Sequence, residues 1–254
     1  QDLLEADKTY IARVKFGART DTGDAEGQVI ETFALPEFAS EIEIKKALDA
    51  LLPQFTGPIS QVPPMYSALK RDGKPLYEYA RDGVDVERTP RRVTIYELQL
   101  SELLEVDGVR SVALRARCSK GTYIRTLGED IGIALGCGAF LSALRRVQSG
   151  VFVAKDCVTL TDLEAWPEDK RHAALLPVDA LLDSHHPITL QPDDAGRFLS
   201  GLRRRGDWPD QDQVAVYGAS PHALLGTAHV RAGELIPERL LNPQEIQSLL
   251  ESAA

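Results

Sequence analysis

Apolar and polar positions alternate from Tyr10 to Phe16, with Tyr10, Ala12, Val14 and Phe16 on one side and Ile11, Arg13 and Lys15 on the other. A period of two predicts a strand with one buried face. A turn rich in Thr, Asp and Gly follows, and Gln28 to Phe33 reads as the returning strand of a hairpin whose long loop runs from Arg19 to Gly27. Ser40 and Glu43 form a capping box, and Ile44, Ala47, Leu48, Leu51 and Leu52 recur at helical spacing, which predicts a helix to about Phe55. Pro58, Pro63 and Pro64 predict irregular chain from Gly57 to Pro64, and Leu76 to Arg81 suits a short helix. The whole stretch from Gly57 to Gly83 is expected to be a long irregular excursion.

Arg92 to Leu103 and Val109 to Cys118 predict two long strands joined by an acidic turn between Glu105 and Gly108. Gly121 interrupts that pattern. Ile124, Leu127, Ile131 and Leu135 then fall at helical spacing, with Gly136 placed to cap the C-terminus. A second short helical stretch is predicted over Phe140 to Arg146, and Val151 to Ala154 returns to strand. Pro177 to Leu182 closes this region, and Asp183 to Pro187 reads as a linker. Beyond it, short alternating runs at Val214 to Tyr217, Leu224 to Val230 and Leu235 to Ile236 predict a small β-rich domain. The expected domains are therefore residues 1–184 and 185–254.

Composition sharpens this picture. With 254 residues, 43% of them apolar, the chain can bury a substantial core. It contains no apolar run near the length of a membrane span, and Asp2, Glu5 and Asp7 give its start the wrong charge for a signal peptide, so a cytoplasmic protein is expected. Cys118, Cys137 and Cys157 are spaced too widely for a zinc knuckle or a redox pair and read as reduced core thiols. The single methionine is Met65, which leads us to expect that the gene encodes a segment before Gln1.

A net charge of −9 argues against a nucleic-acid partner, but distribution matters more than the total. Between Arg110 and Arg146, seven basic residues face only Glu129 and Asp130, and Arg203, Arg204 and Arg205 form a second basic knot. Both could equally be solvated faces balanced by acids folded nearby.

Familiar catalytic patterns are absent: the sequence has no glycine-rich phosphate loop, no H-E-x-x-H and no G-x-S-x-G. The five histidines all fall late in the chain. What remains is Cys118 to Arg125, where a strand ends at Gly121 and a helix opens. Free N–H groups at a helix start, with Lys120 and Arg125, can hold a phosphate or carboxylate. The competing reading is that Tyr123 packs and Arg125 pairs with Glu129 one turn away. The residues alone leave the two readings open.

The string Ser119-Lys-Gly-Thr-Tyr-Ile-Arg125 resembles the K-G-T-Y-I-R motif of TruB-type pseudouridine synthases. Asp7 to Tyr10 resembles that family's D-K-x-Y strand, Arg19 to Gly27 its R-T-D-T-x-D-x-x-G loop, and Pro63 to Lys70 its P-x-M-Y-S-A-L-K segment. Leu76 to Arg81, Gly136 to Ala139 and Leu144 to Arg146 also fit in family order, so the resemblance runs from Asp7 to about Leu182. The tail, at Leu225 to Ala228 and Gly233 to Leu240, resembles the end of a PUA RNA-binding domain.

The resemblance implies an α+β protein with the pseudouridine synthase fold, a mixed, largely antiparallel sheet flanked by helices, followed by a small β-rich PUA-like domain. It implies isomerisation of the T-loop uridine of tRNA to pseudouridine: the base is flipped out, its bond to the sugar breaks, and the ring reattaches through carbon. No cofactor or metal is implied. The expected partner is the T arm of tRNA, with no membrane and no obligate protein partner, and a monomer is expected.

In this reading Tyr10 stacks on the flipped base with its hydroxyl available for proton removal. Arg125 pairs with an attacking aspartate, and Tyr123 and Leu144 line the pocket. Asp24 binds substrate or caps its own turn, Lys70, Arg145 and Arg146 are candidate phosphate contacts, and the excursion from Gly57 to Gly83 grips the substrate. The family's attacking aspartate sits in a G-x-x-G-x-L-D-P-x-A-x-G motif that this sequence does not contain, so it is expected to precede Gln1. Two alternatives accompany this reading. One is a non-catalytic RNA-binding or tRNA-folding protein on the same scaffold, and the other a glycosidase using Asp21 and Asp24.

Overall fold

A computed structural model describes residues 2–35, 41–106 and 109–252. The chain forms two compact units, Gln1–Cys157 and Val158–Ala254. The expected boundary at 184/185 lies within the second unit, directly before the first strand of its sheet.

In the first unit a short helix α1 (Asp2–Glu5) leads into β1 (Lys8–Phe16), followed by β2 (Ala18–Thr20) and β3 (Val29–Thr32). Helix α2 (Glu41–Leu51) tightens into a 3₁₀ turn (Leu52–Phe55) where Pro53 removes a backbone donor. Ser40, the expected cap of this helix, lies outside the described residues. Then come β4 (Gly57–Gln61), β5 (Lys70–Arg71), β6 (Lys74–Pro75), α3 (Leu76–Arg81), β7 (Arg91–Val106) and β8 (Val109–Cys118). Helix α4 (Ile124–Ala134), β9 (Ala139–Ser149) and β10 (Phe152–Val153) complete the unit.

Six strands form one antiparallel sheet in the order β10-β9-β1-β8-β7-β4. Ala12, Val14 and Phe16 of β1 are buried, as the alternation predicts. They share one core with Ile44, Leu48 and Leu52 from the α2 region and with Ile124, Leu127 and Ile131 of α4. The helices therefore cover the sheet face that carries the even-numbered residues of β1.

Four expectations are corrected here. Residues 28–33 do not return against β1, because β8 and β9 occupy both of its edges. Instead Gly17, at φ +95°, turns the chain away, and β2 and β3 pair as a separate two-stranded arm. Residues 140–146 are not helical but lie in β9, where Leu144 pairs with Ala12 and Arg146 with Tyr10. A short apolar run cannot be assigned by periodicity alone, and a strand partner overrides the helix preference of Leu and Arg. Gly57–Gln61 is a regular strand, because Pro58 sits on a sheet edge where no ladder bond is lost. Cys118 and Cys137 are buried as expected, whereas Cys157 is exposed.

The second unit begins with α5 (Leu160–Ala165), α6 (Glu168–Ala173) and a 3₁₀ turn (Val178–Leu182). Its sheet contains β11 (His186–Leu190), β12 (Arg204–Arg205), β13 (Gln211–Ala219), β14 (His222–Arg231) and β15 (Glu234–Leu240), in the order β11-β13-β14-β15-β12. Two helices that the periodicity did not reveal, α7 (Pro192–Leu199) and α8 (Pro243–Ser252), accompany it. Phe198 of α7 is fully buried with Val214, Val216, Val230 and Leu235. The basic knot is partly balanced locally: Arg203 and Arg205 share Glu234, and Arg204 pairs with Asp194.

Helix α4 approaches β9 so closely that a Cβ on Gly132 would stand 2.4 Å from both the Cβ and the backbone nitrogen of Ala139. Gly132→Ala is expected to cost about 1–3 kcal/mol by overpacking. A Cβ on Gly196, inside α7, meets nothing within 4 Å. Gly196→Ala is expected to add about 0.5–1 kcal/mol by relieving the entropic cost of a helical glycine. Urea unfolding curves of the two variants check both signs.

Candidate active site

The loop after β2 carries the R-T-D-T-x-D-x-x-G residues and is built by its own side chains. Asp21 Oδ1 accepts from the Gln28 N–H at 2.8 Å, closing the turn. Asp24 Oδ1 accepts from the Thr22 hydroxyl at 2.7 Å and from the Glu26 N–H at 3.2 Å. Thr20 Oγ1 donates to the Asp24 carbonyl oxygen at 2.7 Å. Gly27 is required by close approach, since a Cβ there would come within 2.3 Å of Asp21 Oδ1 and Thr22 Oγ1. The loop then lies along β9, with the Ala25 N–H donating to the Leu141 carbonyl oxygen at 2.9 Å and the Leu141 N–H to that of Gly23 at 3.0 Å.

This arrangement brings Asp24 to Arg125, in the first turn of α4. Arg125 donates through Nη1 to Asp24 Oδ2 at 2.9 Å and to the Thr22 carbonyl oxygen at 3.0 Å. Through Nη2 it donates to the Tyr66 carbonyl oxygen at 2.6 Å. Asp24 thus both caps its own turn and pairs with Arg125, while the Arg125–Glu129 pair of the competing reading does not form. Glu129 instead stands 3.8 Å from Arg19, with Oε1 facing Nε. A guanidinium carries five N–H donors, so among the described residues Arg125 keeps two uncommitted after these three bonds. Two donors on one planar fork suit a carboxylate or phosphate.

The other expected residues divide between places. Tyr10 packs against the core on the helix-covered sheet face. Its β9 neighbours on that face are Arg146, opposite it, and Leu144, opposite Ala12 and 47% exposed. Arg145 pairs with Ile11, so the two-residue period of a strand sends it to the opposite face. Tyr123 is the N-cap residue of α4, two residues before Arg125. Lys70 is exposed on the two-residue hairpin of β5 and β6. Lys120, expected to help hold an anion, pairs with Glu5.

The D-K charges are structural. Lys8 Nζ donates to the carbonyl oxygens of Leu3, Leu4 and Ala6 at 2.6–3.0 Å, capping α1, and Asp7 pairs with Arg117 at 3.0 Å. Sequence reasoning missed two participants. Tyr66 contributes a backbone oxygen, which no side-chain pattern announces. Gln61 is 2% exposed and bonds to Tyr123 from an edge strand that prolines disguised as coil. Among the described residues no group of three or more His, Cys, Asp and Glu side chains is placed to hold a metal ion, and no helix is long and apolar enough to cross a membrane.

The architecture is the pseudouridine synthase fold. Over 97% of this chain and 70% of the other, it superposes with a TM-score of 0.63 and 22% identity on a chain in a crystal structure of a Cbf5-Nop10-Gar1 complex. A chain from an H/ACA RNP bound to a substrate RNA containing 2'-deoxyuridine gives 0.61 and 20% identity, over 96% of this chain and 68% of that one. Sequence narrows the class. Models of the TruB family pseudouridylate synthase N-terminal domain, the tRNA pseudouridylate synthase B C-terminal domain and the pseudouridine synthase II TruB C-terminal region match residues 1–124, 125–183 and 187–241. The tRNA pseudouridine synthase B of Verminephrobacter eiseniae is 51% identical over 98% of this chain and 74% of its own length. That of Cupriavidus taiwanensis is 50% identical over 95% and 76%. The chain belongs to the TruB family.

Asp130, also on α4, has its carboxyl pushed above the usual aspartate range by burial alone. Its folded-state pKa exceeds the unfolded one, so the folded state holds the proton more tightly and stability falls as pH rises through that window. Asp130→Asn removes the buried charge. The variant is expected to melt higher than the parent at about pH 7, with the difference closing towards about pH 4, as thermal melts across that range will report.

Proposed function

We propose that this protein is an enzyme that isomerises uridine in tRNA to pseudouridine, acting on the T-loop uridine through the group assembled around Arg125. The family membership supports the reaction, and the Arg125 seat carries the assignment of the site. A cation fixed by three bonds, yet keeping two donors, is suited to hold a carboxylate ionised and aimed, because a neighbouring positive charge favours the charged form. The family's attacking carboxylate belongs to a motif that is not among these 254 residues.

The T-loop base must leave its stack before its glycosidic bond can be reached. Tyr10 offers a ring on the sheet face it shares with Leu144 and Arg146, and among the described residues its hydroxyl has no hydrogen-bond partner. That suits stacking on the extruded base and removal of a proton from the ring after it reattaches. Tyr123 and Leu144 exclude water from this pocket, and Asp24 orients Arg125 from the side opposite the substrate. Lys70 and Arg146 supply phosphate contacts, whereas Arg145, on the sheet face opposite Tyr10, is left out of that set. Residues 1–184 form the catalytic domain, residues 185–254 a PUA-like RNA-binding domain, and the protein acts as a monomer in the cytoplasm without a cofactor.

The enzyme carrying the motif's aspartate, given tRNA, is expected to form pseudouridine. Arg125→Ala should lower kcat by about 10²-fold or more, the scale for a lost charge-stabilising donor, with little change in tRNA affinity. Arg125→Lys should not restore it, since a point charge cannot replace a planar fork. Near-normal turnover in Arg125→Ala overturns this account of the site. A wild type that binds tRNA without converting uridine replaces the enzyme with an RNA-binding protein on the same scaffold.

A further inference from the structure

Gln61 closes β4, the edge strand of the first unit's sheet, and its side chain is 2% exposed. Its amide makes two bonds to one residue 62 positions away. Gln61 Oε1 accepts from the Tyr123 N–H at 3.0 Å, and Nε2 donates to the Tyr123 carbonyl oxygen at 3.2 Å. This is the pairing a neighbouring strand would make, supplied by a side chain at a point where the backbone is not in a strand.

Tyr123 needs such a partner. It caps α4 with extended backbone at φ −98° and ψ 104°, and no side chain caps the helix there. Its carbonyl also accepts the first helical bond, from the Leu127 N–H at 3.0 Å. The position of this one peptide therefore sets where α4 begins, and with it the origin of the Arg125 side chain two residues on. Thr22, Asp24 and Tyr66 hold the guanidinium, whereas Gln61 holds the backbone from which it extends.

We infer that Gln61 is a positioning residue for catalysis: its two-point clamp on the Tyr123 peptide fixes both the aromatic ring of Tyr123 and the reach of Arg125. The inference rests on the functional reading above. An apolar residue of similar size fills the space but leaves the Tyr123 N–H and C=O without these partners, so the helix start is free to shift. Displacement of a catalytic group by about 1 Å costs about 10²-fold in rate. Substrate affinity, spread over many phosphate contacts, is much less sensitive. A protonated glutamic acid offers an acceptor and a donor like the amide, whereas its carboxylate offers acceptors only.

The test uses the enzyme carrying the motif's aspartate, with tRNA, and measures kcat, KM and melting temperature for wild type, Gln61→Leu and Gln61→Glu. Gln61→Leu is expected to lose about 10²-fold in kcat with KM unchanged, at a temperature where it is folded. For Gln61→Glu, the kcat relative to wild type should be low at about pH 8 and rise as pH falls, following protonation of the new carboxyl. Wild-type kcat in folded Gln61→Leu, or a loss confined to KM, overturns the inference while leaving the functional reading intact. Should Gln61→Leu fail to fold, Gln61→Glu decides, and wild-type kcat at every pH from about 6 to about 10 overturns the proposal. A wild type that forms no pseudouridine overturns the functional reading itself, and this inference with it.

Discussion

The saturation of β1 on both edges is the constraint from which the candidate site follows. With β8 on one side and β9 on the other, the strand has no backbone donor or acceptor edge left for the residues that come after it. The chain turns at Gly17, forms its own small arm, and spends the loop between β2 and β3 against Leu141. That detour delivers Asp24 to the first turn of α4. A hairpin in which residues 28–33 paired with β1 would have displaced one of its two partners, and with β9 would go the strand that holds the loop in place.

A second theme is the division of charge between structure and chemistry. Lys8, Lys120, Arg117 and the knot at 203–205 are committed to nearby carbonyls and carboxylates. Exposed pairs of this kind contribute little stability each, and their effect here is a local balance of charge. Of the basic stretch 110–146, Arg145 and Arg146 point to opposite sheet faces, and Arg125 sits in a half-buried seat with donors to spare. The linear excess of charge is thus split by the sheet rather than gathered into one patch.

Much of the fold was legible where a pattern was both long and consistent. The alternation of β1, the length of β7 and β8, and the spacing of Ile124, Leu127 and Ile131 all matched the elements observed. Legibility failed where local preference and global pairing disagreed. Residues 140–146 favour a helix in isolation, and residues 57–61 contain a proline, yet each lies beside a strand that needed a partner. The helices α7 and α8 escaped notice because their buried faces are narrow, with Ala195 and Phe198 the only buried residues of α7. In the site, the resemblance of short motifs named Tyr10, Asp24, Tyr123 and Arg125. Nothing in those motifs connected Asp24 with Arg125, or either with Tyr66 and Gln61.

By itself the sequence determined the types of most elements and the identity of the charged and aromatic side chains. These are properties of neighbours a few residues apart, set by side-chain period and turn chemistry. Only the tertiary structure decided which of those side chains meet: Arg125 with an acid 101 residues earlier, and Gln61 with a peptide 62 residues later. Such pairings depend on which strand edges are left open after the core has formed. That is a competition among all strands at once, and no local stretch of chain encodes its outcome.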